Sequence, residues 1–186
     1  EKTVQLKPEM SEGYSNRSLI LRQLGCYEEA IQSCFKAIQL ASDNHMAHHN
    51  LGLIHKDTGK IQAAIENYDR CLELKPDYAE AHWNKSTALL LDGQLIEGFK
   101  LFEWRFQAET GLKEVRLDAP LWLGEEDVGG KTVLLHSEQG LGDSIQFCRY
   151  APLLKACGAR VVMVVPKPLV ALMQSLQGVD EVIESG

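Results

Sequence analysis

Gly25, Gly59 and Gly93 stand 34 residues apart, and four more columns keep that step. These are Ser18, Gly52 and Ser86; Ala30, Ala64 and Gly98; Cys34, Tyr68 and Phe102; and Pro8, Ser42 and Pro76. A period of roughly 20–50 residues is the signature of a repeat architecture, in which each unit buries its apolar side only against its neighbours. The columns have mechanical reasons. A small residue at the eighth position (Ser18, Gly52, Ser86) opposite a small one at the twentieth (Ala30, Ala64, Gly98) lets two helices of a helix–turn–helix unit cross closely. The glycine column suits a turn with left-handed backbone between them. Bulk at Cys34, Tyr68 and Phe102 fills the space between neighbouring units, and Pro76 stops the second helix.

This pattern resembles the tetratricopeptide repeat. Three copies are expected at 11–44, 45–78 and 79–112, with 1–10 as the tail of an earlier one. The middle copy has Leu51, Gly52, Ala64, Tyr68 and Pro76 where the family has them. The third departs, with Lys85 in an apolar column and Arg105 where a small residue is usual, as terminal repeats often do. The resemblance implies a helical array whose first helices line a concave groove for a protein or peptide partner. The sixth position of each copy holds Asn16, Asn50 and Asn84. An amide offers a donor and an acceptor together, which suits an extended peptide backbone. A similar asparagine ladder lines the superhelix of the O-linked N-acetylglucosamine transferases. On this reading Asn16, Asn50, Asn84, His49 and Trp83 face the groove; on the alternative, the asparagines bond locally. His45, His48, His49 and His82 lack an acid or cysteine placed to complete a metal site, so no metal is expected.

After Leu112 the 34-residue step ends. Residues 113–130 read as a connector with Pro120, Trp122 and the Gly129–Gly130 pair. Lys131–His136 is an apolar run of strand length, followed by a glycine-containing loop and a helical stretch from Asp143 to Ala156. Ile145, Cys148, Leu153 and Leu154 should give that helix a buried side. Arg160–Val165 reads as a second strand, Leu169–Leu176 as a helix opened by Pro166 and Pro168, and Glu181–Glu184 as a third strand. Strands alternating with helices point to a parallel sheet. The fold class is therefore α + α/β: a helical repeat array, then the first part of a Rossmann-like parallel domain over 131–186.

Gly140–Gly142 lies between the first strand and the first helix, where open parallel sheets place their ligands. It is not a dinucleotide fingerprint: Ile145 occupies the third glycine's place, and no acid ends the second strand, so an oxidoreductase reading is weak. The segment Trp122–Tyr150 is similar to a bacterial arrangement in which tetratricopeptide repeats lead into a glycosyltransferase domain like the heptosyltransferases, of the two-lobed GT-B type, and the resemblance covers Pro120–Gly186. The resemblance implies that Asp143, in Gly142-Asp143-x-Ile145, is the general base acting on the acceptor hydroxyl. It further implies that Glu138, Gln139, Gly140 and Gly142 contact the acceptor, and that a nucleotide-sugar donor binds a second lobe outside this chain. An Asp at a helix start is equally an ordinary N-cap.

Twenty-six Asp+Glu against 19 Lys+Arg give a net charge of −7, which argues against capture of nucleic acid or anionic lipid. No apolar run reaches the roughly 20 residues of a membrane span. Five cysteines without a Cys-x-x-Cys pair read as reduced thiols of a cytoplasmic protein. The chain starts without Met and its sheet is short, so it reads as a piece of something longer. Two readings follow: the N-terminal portion of a repeat-containing glycosyltransferase with no cofactor of its own, inactive as this fragment, or a non-catalytic scaffold with a degenerate α/β appendage.

Overall fold

The structure, a computed structural model, describes residues 9–109, 119–138 and 140–185. Residues 1–8, most of the connector's first half and Gln139 lie outside the described residues. The chain divides into two compact units, Glu1–Glu114 and Val115–Gly186.

The first unit is a row of helix pairs. The first helices are α1 (Ser11–Gln23), α3 (His45–Asp57) and α5 (Ala79–Leu91). The second helices are α2 (Tyr27–Leu40), α4 (Ile61–Leu74) and the shorter α6 (Leu95–Phe102), which runs into a 3-10 turn over Glu103–Phe106. The glycine column behaves as its spacing requires: Gly25, Gly59 and Gly93 have φ of 75°, 74° and 83°. At each, the residue after the glycine donates its N–H back to a carbonyl of the helix just ended, as Cys26 does to Leu21 at 2.9 Å and Lys60 to His55 at 2.8 Å. That closure satisfies carbonyls the helix end would leave bare.

The small-residue columns do more than let helices cross. A Cβ on Gly52 would sit 2.6 Å from Cδ1 and 2.9 Å from Cζ of Tyr68, with Cε1 closer still. The eighth position is thus empty to admit the fully buried Tyr68 ring, four residues beyond the Ala64 expected to fill that role. In the third pair the expected partners do meet: Ser86 Oγ donates to the Gly98 carbonyl at 2.9 Å. Tyr68 packs with Leu53, Ala64, Ile65, Ala88 and Leu89 across two repeats. Ala30, Cys34, Leu51 and Ile54 form the corresponding cluster one repeat earlier. Lys85, anomalous in an apolar column, reaches Asp69 of α4 at 2.5 Å. Arg105 is almost buried, its guanidinium 3.9 Å from the Phe106 ring centroid and bonded to Glu103 at 2.7 Å. A flat cation on an aromatic face is compatible with such burial.

The second unit is a three-stranded, all-parallel sheet in the order β1 (Thr132–His136), β2 (Arg160–Val165), β3 (Glu181–Glu184). Val161, Met163 and Val165 of β2 pack with Val128, Ala151, Leu154, Leu169 and Met173. Val128 shows that the end of the connector belongs to this core.

The single helix expected over 143–156 is instead α7 (Leu141–Phe147), a 3-10 turn (Cys148–Tyr150) and α8 (Ala151–Ala156). Pro152, at the start of α8, has no N–H to continue the preceding helix and is tolerated in a first turn. The tighter turn rotates the helical face, so Leu154 is buried while Ile145 and Leu153 stand 48% and 60% exposed. The buried side expected for Ile145 and Leu153 is therefore corrected. Pro166 and Pro168 open a 3-10 turn at Lys167–Leu169, and α9 is short, Val170–Gln174.

Candidate functional site

The first helices α1, α3 and α5 pack side by side, and their facing polar side chains mostly bond to one another. Asn50 is 2% exposed, and its amide donates to the Ser15 carbonyl at 2.9 Å and to Ser18 Oγ at 3.0 Å, both on α1. The exposed, groove-facing Asn50 expected from its column is therefore corrected: the amide closes a seam between repeats. Two serines one turn apart on α1 supply the acceptors that draw it in.

Asn84 is half-buried; its amide donates to Glu80 O at 2.8 Å and approaches His49 Nε2 at 3.2 Å. Its oxygen accepts from Lys56 Nζ at 3.1 Å, and Lys56 also donates to Thr87 Oγ1 at 3.1 Å. Only Asn16 of the ladder is exposed. His49, also expected in the groove, is buried between the Tyr68 and Tyr78 rings, at 5.9 and 5.2 Å. Trp83, half-buried, lies edge-on to Phe102 of its own repeat at 5.0 Å. Both serve packing because the fifth position of the first helix here meets bulky neighbours.

Burial is the main force on the titratable groups of this face. It lowers the His49 imidazole to about 4, helped by Arg22, Lys56 and His45. It also lowers Lys56, against the attraction of Asp57. Arg22 and Asp57 join α1 to α3 through two bonds, at 2.6 and 3.2 Å. Arg22, Asp57, Lys56 and Thr87 were not among the residues expected to matter. The signal existed: Arg22, Lys56 and Leu90 form another 34-residue column. Burial raises Cys34 to about 11 and Cys71 to about 12, so neither thiol is a nucleophile near neutrality.

In the second unit the polar groups lie around the loop after β1. Ser137 donates its N–H to Val164 O at 3.0 Å, tying the loop to β2, and Ser144 Oγ donates to Ser137 Oγ at 2.8 Å. Gly140, not Asp143, is the N-cap of α7; Asp143 is the third helical residue and forms no side-chain cap bond. The N-cap alternative for Asp143 is thereby corrected. Its carboxylate is exposed and lies 4.0 Å from where a Cβ on Gly140 would sit, while a Cβ on Gly142 would meet nothing within 4 Å. Glu138 is half-buried beside this open loop; Gln139 is outside the described residues.

Among the described residues no three His, Cys, Asp or Glu side chains are grouped to hold a metal ion. Nor is any described helix long and apolar enough to cross a membrane.

The tetratricopeptide-repeat family matches the chain twice, over residues 11–44 and 45–78. Protein FlbA of Caulobacter vibrioides is 28% identical over 153 residues, 82% of this chain. The chain spans only 20% of the length of that curated relative. Among solved structures, MamA superposes with a TM-score of 0.50 at 25% identity, covering 56% of this chain and 61% of that one. The second tetratricopeptide domain of Spaghetti (RPAP3), bound to the HSP90 peptide SRMEEVD, gives 0.51 at 22% identity, over 59% of this chain and all of that one. YrrB, described as a tetratricopeptide protein with an unusual peptide-binding site, gives 0.53 at 17%, over 58% of this chain and 56% of that one. Residues 11–78 are thus two tetratricopeptide repeats, continued by a third helix pair and followed by a small parallel sheet.

Proposed function

We propose that the repeat unit holds an extended segment of a protein partner along its first helices. The observation that carries this reading is the side-by-side packing of α1, α3 and α5, whose shared face keeps Asn16 exposed and Lys56, Asn84 and Thr87 half-buried. The Spaghetti domain, which superposes on 59% of this chain, is itself bound to an HSP90 peptide. The test is an array of immobilised random decapeptides probed with the whole chain. A subset should be retained, and Asn16→Trp and Thr87→Trp, which fill the face with bulk, should each weaken retention at least about tenfold. Retention of no peptide, or retention indifferent to both substitutions, overturns the reading.

A second reading concerns the sheet and rests on Asp143, a carboxylate without a partner among the described residues, in the first turn of the helix that follows the first strand of a parallel sheet. In this reading residues 131–186 form the acceptor side of a GT-B sugar-transfer cleft. Asp143 takes the acceptor hydroxyl proton, Glu138, Gln139, Gly140 and Gly142 position the acceptor, and a nucleotide-sugar donor binds elsewhere in a longer protein. Asp143→Asn in that longer protein should lower sugar transfer by about 10²–10⁴-fold. Undiminished transfer removes Asp143 from the chemistry and leaves the sheet as an appendage to a binding scaffold.

A further inference from the structure

Asn84 is locked in one orientation, and the lock decides where the His49 proton sits. Lys56 Nζ can only donate, and it meets Asn84 Oδ1 at 3.1 Å; the Glu80 carbonyl can only accept, and it takes an amide hydrogen at 2.8 Å. The same amide nitrogen approaches His49 Nε2 at 3.2 Å with its other hydrogen. Nε2 must therefore accept, so the imidazole is neutral with its hydrogen on Nδ1. A proton on Nε2 would set donor against donor. The amide cannot turn to answer it, because turning would place its NH2 against the Lys56 ammonium and its oxygen against the Glu80 carbonyl.

Nothing around the ring offsets a positive charge. Arg22 of α1, with Lys56 and His45 of α3, opposes it, and Asp57 is taken by both Arg22 bonds. From α4 come the Tyr68 ring and Cys71, whose thiol burial pushes up to about 12. Tyr78, just before α5, presents its ring at 5.2 Å; burial pushes its phenol up to about 12, and the Lys75 ammonium lies 5.0 Å from that ring. The Glu80 carboxylate is drawn instead to the Glu109 N–H at 3.3 Å. Burying an imidazolium here without a counter-charge is costly, and opening the junction gives it water.

We propose that His49 is a proton-sensitive latch between the second and third repeats: a proton on Nε2 breaks its contact with Asn84 and frees α5 from α3. The face formed by α3 and α5, with Lys56 and Thr87 on it, divides when the latch opens, whether or not a peptide lies there. Burial, together with Arg22, Lys56 and His45, holds the closed imidazole at about 4, against about 6.5 in water. Opening takes up a proton between those values, so the latch is shut above pH 6.5 and loosens as pH falls towards 4. From about pH 7.5 to about pH 5 the opening equilibrium should rise about thirtyfold.

The test is hydrogen exchange of the whole chain read by mass spectrometry, with protection corrected for the intrinsic pH dependence of amide exchange. Protection over Ala79–Leu91 should fall by that factor between the two pH values, and protection over Ser11–Leu40 should fall less. His49→Gln offers Asn84 a neutral acceptor and removes the titration, so it should abolish most of the fall. His55→Gln removes a histidine that burial lowers in the same direction within its own repeat, and it should leave the fall unchanged. In case His49→Gln fails to fold, a two-bond 1H–15N spectrum of the histidine-labelled wild type near neutrality should show His49 with its hydrogen on Nδ1 and Nε2 bare. A hydrogen on Nε2, a fall that survives His49→Gln, or a fall shared equally by all six helices overturns the latch.

Discussion

Asn50 and Asp143 invite comparison, because each was singled out as a polar residue for contacting a ligand and the two units treat them oppositely. Asn50 is buried between α1 and α3, with both amide hydrogens engaged by the neighbouring repeat. Asp143 stands exposed on a loop-proximal turn without a bond among the described residues. In the repeat unit the polar groups between first helices are mainly mortar; after β1 the Asp143 carboxylate forms no bond among the described residues. A polar residue that recurs with a structural period is first a candidate for the interface that recurs with it.

The sharpest test of the repeat side is Gly52→Ala. Its Cβ would strike the ring of the fully buried Tyr68, so thermal or denaturant unfolding should show a loss of about 3 kcal/mol. A variant as stable as the parent would mean that α3 and α4 pack more loosely than described. Next comes Asn50→Ala, which strips two donors from buried acceptors and should cost about 2 kcal/mol. If it costs nothing, the amide is no mortar and the contrast with Asp143 fails.

The pH profile sharpens the same contrast. His49 is held near 4 in the fold, against about 6.5 in an unfolded chain. The unfolded state binds the extra proton between those values, so this contribution is intact above pH 6.5 and fades as pH falls towards 4. Its slope is at most about 1.4 kcal/mol per pH unit. Burial lowers His45, His48 and His55 in the same direction. Chemical denaturation at a series of pH values should show this decline, and His49→Phe should flatten it; an unchanged slope places the titration elsewhere. The smallest effect is expected from Asp143→Asn, which breaks no bond and should move stability by less than about 0.5 kcal/mol. A larger loss would give the carboxylate a structural role and erase the difference between the units.

The repeat spacing was legible because every unit solves the same packing problem. The glycine turns fall where the 34-residue step puts them, and strands β2 and β3 span the residues read from their apolar runs. What the sequence hid was direction. Nothing in the column Asn16, Asn50, Asn84 tells which member is covered, since the answer lies on the preceding repeat, where Ser15 and Ser18 wait for one asparagine and His49 meets the next. The tilt of Ile145 and Leu153 out of the core was hidden for a similar reason. Pro152 was visible, but the face rotated by its 3-10 turn shows only in three dimensions.

The seams between α1, α3 and α5 also bear on how such a chain could be rebuilt. Asn50 finds a serine hydroxyl at the eighth position of the repeat before it, whereas the repeat before Asn84 has Gly52 at that position, with no hydroxyl to offer, and Asn84 is held by His49 and Lys56 instead. The junctions are therefore not interchangeable parts. Exchanging the first two repeats, or inserting a copy of the middle one after itself, would set an asparagine opposite the wrong neighbour, although every unit would still match the same consensus. Read as an assembly kit, the array is keyed: the order of its pieces is written in side chains that belong to one piece and are completed by another.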